Sequence, residues 1–340
     1  MNRIILALAL ASVLAACTGG NPNDSGNDDG IGTGTQPLVD EEVPDNVDEE
    51  GSTDNSGPDV YGTEANDLLT MNDVEFDTAT GELVLNNMPF DGDDNLYARD
   101  ATVSTSFRNA GSSFDAYRNV GGSNRYYAVF RQTDSGYSRV TAAGTDNYVT
   151  FGFGGVAAQR LKGNGALPNA DQSYIFDGEY AAVRTIIDPD TGSEMQYVAG
   201  TVRIRVDVED FDTTGAVEGY IADRTFFDNN GVLIDDLNGT GEFITLSTAE
   251  INFDNWTIGS SDASVVGGPQ PTTDPNNLGG LGGGTTTVAG TWEGLFAGPN
   301  GEEVAGIVVM EGSGAIGIDE TTGDYVFVQV REVGGFVAER

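Results

Sequence analysis

In the stretch TVRIRVDV, Val202, Ile204, Val206 and Val208 alternate with Thr201, Arg203, Arg205 and Asp207. A period of two puts every apolar side chain on one face of an extended strand and the polar ones on the other. That is the pattern of an antiparallel sheet with one wet side. ELVLNNM, YYAVFRQ, NYVTFGF, SYIFDGEYAAVRTII, AVEGYIADRTFF and YVFVQVRE follow in kind. Beyond the first residues no ten-residue stretch shows helical periodicity, so the fold class is all-β.

One turn recurs between these strands: DTATG (77–81), DPDTG (188–192), DTTG (212–215) and DETTG (319–323). Asp accepts backbone hydrogen bonds at the start of a type I turn, and Gly supplies the left-handed residue that closes it. Alternate carboxylates in DPD and DFD also suggest calcium. However, a calcium loop needs more oxygen ligands, including a bidentate Glu at a fixed later spacing, and no stretch completes that set. Hairpin turns are the better reading, and no metal site is expected. Residues 267–287, GGPQPTTDPNNLGGLGGGTTT, are too long for a hairpin loop and read as a surface insertion.

The N-terminus carries an address. Arg3 precedes the apolar run IILALALASVL, and Leu14, Ala15 and Ala16 lead to Cys17. The run is too short to span a membrane and has the layout of a secretory signal. Cys17 is the only cysteine of the 340 residues. Its place after Leu-Ala-Ala resembles the lipobox of bacterial lipoproteins, in which that Cys becomes the acylated mature N-terminus. Thr18 rather than Asp follows, which in that resemblance argues for the outer membrane. Residues 1–16 are thus expected to be a lipoprotein signal peptide. Residues 17–66 are rich in Gly, Asn, Ser and Asp and hold no Lys or Arg. A segment so poor in apolar side chains cannot offset its conformational entropy by burial, and reads as a disordered acidic tether.

The whole chain holds 54 acidic and 15 basic residues, a net charge of −39. Such a surface repels phosphate backbones, which excludes a nucleic-acid partner. It suits solubility in a salty medium, where screening blunts self-repulsion; a basic protein partner is the sharper alternative. Histidine is absent. A Ser-His-Asp triad, a Cys-His pair and an imidazole metal site are therefore all excluded. Paired carboxylates could hydrolyse glycosides, yet among so many acids no pair stands out. No enzyme activity and no cofactor are expected, and the tyrosines read as sheet-packing residues rather than haem ligands.

The stretch GTWEGLFAGPNGEEVAGIVV (290–309) interrupts two patterned strands. Trp292, Gly294 and Phe296 share a face, and Pro299 ends the ladder because it lacks an N–H. Asn300 and Glu303 have capping-box spacing, which predicts one short helical turn between the strands; a decorated hairpin shares the signal.

The motif of Gly294, Phe296, Gly298, Pro299, Asn300, Glu303, Val304 and Gly306 resembles the last-but-one strand region of the β-barrel domain of transferrin-binding protein B. Haemoglobin-receptor lipoproteins and factor H-binding protein share that barrel. Pro168, Tyr174, Gly178 and Tyr180 resemble its opening strand, and Gly335, Phe336 and Arg340 its closing one. The resemblance covers residues 165–340. It implies an antiparallel up-and-down barrel of about eight strands over 166–340, preceded by a small handle-like sheet over 67–165. There is room for one handle–barrel lobe where the family usually has two. The implied role is an outer-membrane or cell-surface lipoprotein, lipid-anchored and non-catalytic, binding an iron- or nutrient-carrying protein. A TonB-dependent receptor and a surface-lipoprotein translocator are its expected associates. The alternative is a structural or adhesive envelope lipoprotein whose loops contact other surface molecules.

Overall fold

The computed structural model describes residues 69–340 apart from 72, 93, 169–171, 189–191, 211–213 and 269–286. The signal peptide, Leu14, Ala15, Ala16, Cys17, the tether and nearly all of the 267–287 insertion lie outside the described residues. Seven strands form the first sheet: β1 (Asp73–Asp77), β2 (Glu82–Asn86), β3 (Leu96–Arg99), β4 (Asp115–Asn119), β5 (Tyr126–Gln132), β6 (Ser138–Thr145) and β7 (Gly155–Arg160). They pair antiparallel in chain order. Leu83, Leu85, Tyr97, Tyr126 and Phe130 fill the sheet's inner face.

Eight longer strands follow: β8 (Ser173–Asp188), β9 (Gly192–Asp210), β10 (Thr214–Asp228), β11 (Phe243–Asn252), β12 (Thr257–Val266), β13 (Ala289–Ala297), β14 (Glu303–Ile318) and β15 (Tyr325–Glu339). They close into an antiparallel barrel, with the last strand paired to the first over Asp177–Ile187 and Gln329–Glu339. The small sheet and the eight-stranded barrel are those the sequence implies. In β9 the alternation is realised as read: Val202, Ile204, Val206 and Val208 are buried in the barrel, while Thr201, Arg203, Arg205 and Asp207 are exposed.

A helix the periodicity did not reveal, α1 (Ala101–Asn109), lies between β3 and β4. Asp100 caps it, its carboxylate accepting from the N–H groups of Thr102 (3.0 Å) and Val103 (3.1 Å). Val103 and Phe107 anchor its single buried stripe. Phe107 meets Tyr197 edge-on at 5.8 Å and Phe227 at 5.7 Å. Nine residues with two such anchors are too few for a periodic signal in sequence.

The first sheet packs against the outside of the barrel. Tyr127, Val129, Val140, Ala142 and Val156 meet Val183, Tyr197, Leu295, Ile307 and Val337 in one buried cluster. Two polar side chains fasten this contact. Buried Arg160 of β7 donates to the carbonyls of Phe296 (2.7 Å), Asn255 (2.8 Å) and Trp256 (3.0 Å). Glu303, 1% exposed, accepts from the hydroxyls of Ser138 (2.6 Å) and Ser135 of the β5–β6 loop.

That second contact corrects the capping-box expectation. Residues 298–302 form a tight turn with no helix, using left-handed Gly298 (φ 89°) and Gly301 (φ 60°). The carboxylate that satisfies Asn300 belongs to Glu302, which accepts from its backbone N–H (2.9 Å) and its side-chain amide (2.8 Å). Glu303 is already the first residue of β14, and its side chain points to the first sheet, where burial raises its pKa above the usual 4.5. Two residues in a turn cannot both face Asn300, and the adjacent one has the shorter reach.

The Asp-to-Gly turns form where they are described whole. Asp77 accepts from Ala79 N (2.7 Å) and Gly81 sits at φ 72°. Asp319 accepts from Thr321 N (2.7 Å) and Gly323 sits at φ 77°. These backbone donors lower the pKa of both carboxyl groups. The turns at 188–192 and 212–215 fall partly outside the described residues.

Candidate functional site

Among the described residues no three His, Cys, Asp or Glu side chains group together to hold a metal ion. The densest set of ionisable groups lies inside the barrel. Arg224 pairs with Glu332 and with Glu242. Tyr180 donates to Glu332 at 2.8 Å, Arg184 Nε lies 3.9 Å from it, and Arg184 donates to Gln196 at 2.8 Å. The Phe226 ring lies under both guanidinium groups, at 5.5 and 4.9 Å from centroid to Cζ. Burial lowers the pKa of Arg184 to about 10 and drives that of the Tyr180 phenol well up. Two cations and two carboxylates thus offset one another's charge in a packed interior, with Arg224 Nε left without a hydrogen-bond partner. The arrangement fixes strands and offers no exposed acid or base.

The outer surface is more telling. Among the described residues the exposed large apolar side chains are Phe90, Val120, Val149, Ile175, Tyr220, Val232, Leu233 and Val266. The antiparallel strand order puts six of these eight at the same end of their sheets as the β8–β9 turn or the loops bonded to it. Phe90, Val120 and Val149 sit on the β2–β3, β4–β5 and β6–β7 loops. Val232 and Leu233 sit on the β10–β11 connection, and Val266 closes β12 opposite Phe243. Ile175, near the start of β8, marks the other end.

Hydrogen bonds hold these loops together. The Phe90 carbonyl accepts from Ser123 N (3.1 Å) and Asn124 N (3.2 Å), and Asn124 reaches Tyr148 at 2.6 Å. The Ser193 hydroxyl, beside the β8–β9 turn, lies 2.6 Å from the carbonyls of both Asp146 and Tyr148, to either of which it can donate. Ser106 of α1 donates to Gly231 at 2.6 Å, and Arg118 donates to the Asn229 carbonyl. The loops of both sheets therefore form one continuous end. Phe90 is left-handed (φ 66°) and 68% exposed, an uncommon and costly backbone state for an aromatic residue. Beneath it Asp91 is buried, with its carboxylate 3.1 Å from the Tyr97 hydroxyl. Burial pushes the Asp91 carboxyl up to about 6.

The motif residues occupy the opposite end. Phe296 and Val304 face the barrel interior, Gly294 pairs with Gly306, and Gly298, Pro299 and Asn300 make the turn. A side chain at Gly306 would strike the Phe336 ring, which lies across from it in register. Arg340 donates to the carbonyls of Gly301 (3.1 Å) and Asn300 (2.7 Å). These residues close the barrel and bring no functional group to the loop end. Sequence reasoning missed Phe90, Val120, Val232 and Leu233. The visible signal was an apolar residue beside Gly, Asn or Asp, as in PFDGDD and NNGVLIDD.

No protein-family model matches this chain, and neither does any curated protein. Among solved structures it is similar to a double mutant of transferrin binding protein B from Haemophilus parasuis Hp5. The identity is 13% and the TM-score 0.35, over 85% of this chain and 46% of that one. It is also similar to isotype 1 transferrin binding protein B from serogroup B Neisseria meningitidis, at 13% identity and a TM-score of 0.33, over 84% of this chain and 45% of that one. The chain spans less than half the length of either structure, and likeness at this level leaves partner and role unspecified.

Proposed function

We propose that this chain is a non-catalytic binding module, lipid-anchored through Cys17 at the outer membrane, which meets a protein partner with the loop end of its two sheets. The observation that carries the reading is the presence of six exposed apolar side chains at that end, five of them on loops and Val266 at a strand terminus. Rigid β-scaffolds place recognition on such loops. The 290–309 motif, with its resemblance to the transferrin-binding protein B barrel, directs the choice of partner toward an iron- or nutrient-carrying protein. A TonB-dependent receptor and a surface-lipoprotein translocator complete the set.

A photo-crosslinking side chain at Val232 should capture a partner in intact cells, and one at Ile175 should not. Capture should rise under iron starvation. Equal capture from both positions, or from neither, removes the loops around Val232 as the docking face. Capture indifferent to iron favours the adhesive role. The anchor has its own test: Cys17→Ser should release the protein from membranes and abolish labelling by a fatty-acid analogue, and unchanged membrane association would refute lipidation.

A further inference from the structure

Strands β14 and β15 outrun their neighbours at the loop end. β13 pairs with β14 only as far as Glu311, and β8 pairs with β15 only from Gln329 onward. Among the described residues, 312–318 and 325–328 therefore have only each other as strand partners, while Ile316, Tyr325, Phe327 and Val328 pack against the barrel core. The outer edge of β14 is covered. Thr287 N donates to Ser313 O at 3.0 Å, Ile318 N donates to the Asp236 carboxylate at 3.2 Å, and Gln196 reaches the Ile316 carbonyl at 3.4 Å.

Among the described residues, Tyr325, Val326, Phe327 and Val328 have no strand partner other than β14. A run of aromatic and β-branched residues with no strand partner among the described residues is a template for another strand, which natural edges usually block with Lys, Pro or a bulge facing outward. The Tyr325 hydroxyl donates to Asp236 O at 3.2 Å, bracing the hairpin against the 3-10 turn Asp235–Leu237. Such bracing lowers the ordering cost of adding a strand.

Charge selects what could be added. Residues 229–245 and 311–330 contain several acids and no Lys or Arg. Asp235 and Asp236 beside the hairpin, and Asp319 and Glu320 at its tip, are exposed. A second copy would bring the same carboxylates and a further net charge of −39 against them.

We infer that the edge of β15 at residues 325–328 accepts an extended strand from a basic protein partner. Main-chain hydrogen bonds supply the pairing, and the surrounding carboxylates select Lys and Arg on the incoming strand. The inference rests on the reading that this end meets a protein and specifies that partner's chemistry. So short an edge makes few bonds, so the acidic surround contributes much of the selectivity.

The test uses the full-length chain and a labelled peptide of about eight residues alternating Lys and Val, a typical strand length. Saturable binding is expected. N-methylating one alternate set of peptide nitrogens should abolish it, and methylating the other set should leave it intact, because only one set faces the edge. Asp319→Asn with Glu320→Gln should weaken binding roughly tenfold at low ionic strength and little in about 1 M salt. Absence of saturable binding, or indifference to both methylation patterns, overturns strand addition. Equal binding of a Glu-Val peptide overturns the charge selection. Self-association at low salt that the peptide displaces assigns the edge to a second copy and overturns the basic partner. Crosslinking from Val232 without peptide binding would sink this inference and leave the docking end standing. Peptide binding without crosslinking would uphold the edge site and remove only Val232 from the docking face.

Discussion

Glu332→Ala is expected to destabilise the barrel by about 3–5 kcal/mol, as when one partner is taken from a buried ion pair. Its side chain is 1% exposed, pairs with Arg224 and accepts from Tyr180. In register it stands opposite Arg184 across the seam where the last strand meets the first. Removing it leaves buried Arg184 with only the neutral Gln196 and Arg224 with Glu242 alone, and Arg224 already has an Nε without a hydrogen-bond partner. Glu332→Gln should cost less, since the amide still accepts from Tyr180. Replacing Glu332, Arg184 and Arg224 together with apolar residues of similar volume should be close to neutral, because desolvation of the charges offsets most of their attraction. The measurement is the denaturant midpoint of each variant at constant slope. High salt should not rescue Glu332→Ala, because a pair this buried is little screened. If Glu332→Ala melts like the parent chain, the cluster is hydrated and does not lock the seam.

What was legible in the sequence follows from how many faces of each strand are buried. The C-terminal part of β9 has one buried face, so its alternation announced itself. The earlier part of the same strand, MQYVAG, loses alternation because Met195, Tyr197 and Ala199 pack outward against the first sheet while Val198 faces the barrel. The same two-sided burial explains YAAVRTII in β8 and EVAGIVVM in β14. Breakdown of the period thus marked the contact between the sheets, although nothing local says which surface arrives there. Glu303 illustrates the limit. Its spacing from Asn300 suggested a cap, yet its partners Ser135 and Ser138 come from another sheet, more than 160 positions away. The ion cluster was invisible for the same reason, since Arg224 and Glu332 are 108 positions apart. The loop end is hidden differently. An exposed Phe90 or Leu233 looks like any other apolar residue until the chain shows that nothing covers it.

Phe296→Ala carries the second large effect, about 3–5 kcal/mol, the usual cost of deleting a large aromatic from a packed interior. Phe296 is fully buried in the barrel core. Its ring lies 6.1 Å from Trp256, edge-on, and 6.2 Å from Phe176, so truncation opens a cavity between rings from β8, the β11–β12 connection and β13. Its backbone carries a second duty, since the Phe296 carbonyl accepts from Arg160 and so helps hold the first sheet. Alanine keeps that carbonyl. The loss should therefore appear as lowered cooperative stability, with the contact between the sheets retained until the barrel itself unfolds. Phe296→Leu, which keeps most of the volume, should cost clearly less. Neither variant should alter crosslinking from Val232 once the folded fraction is matched, because Phe296 sits at the far end of the barrel from the docking loops. A silent Phe296→Ala in a thermal melt would mean that the ring does not face the core. The register of β13 would then be shifted by one residue, which exchanges its two faces, and the closure of the barrel through β14 and β15 would have to be redrawn.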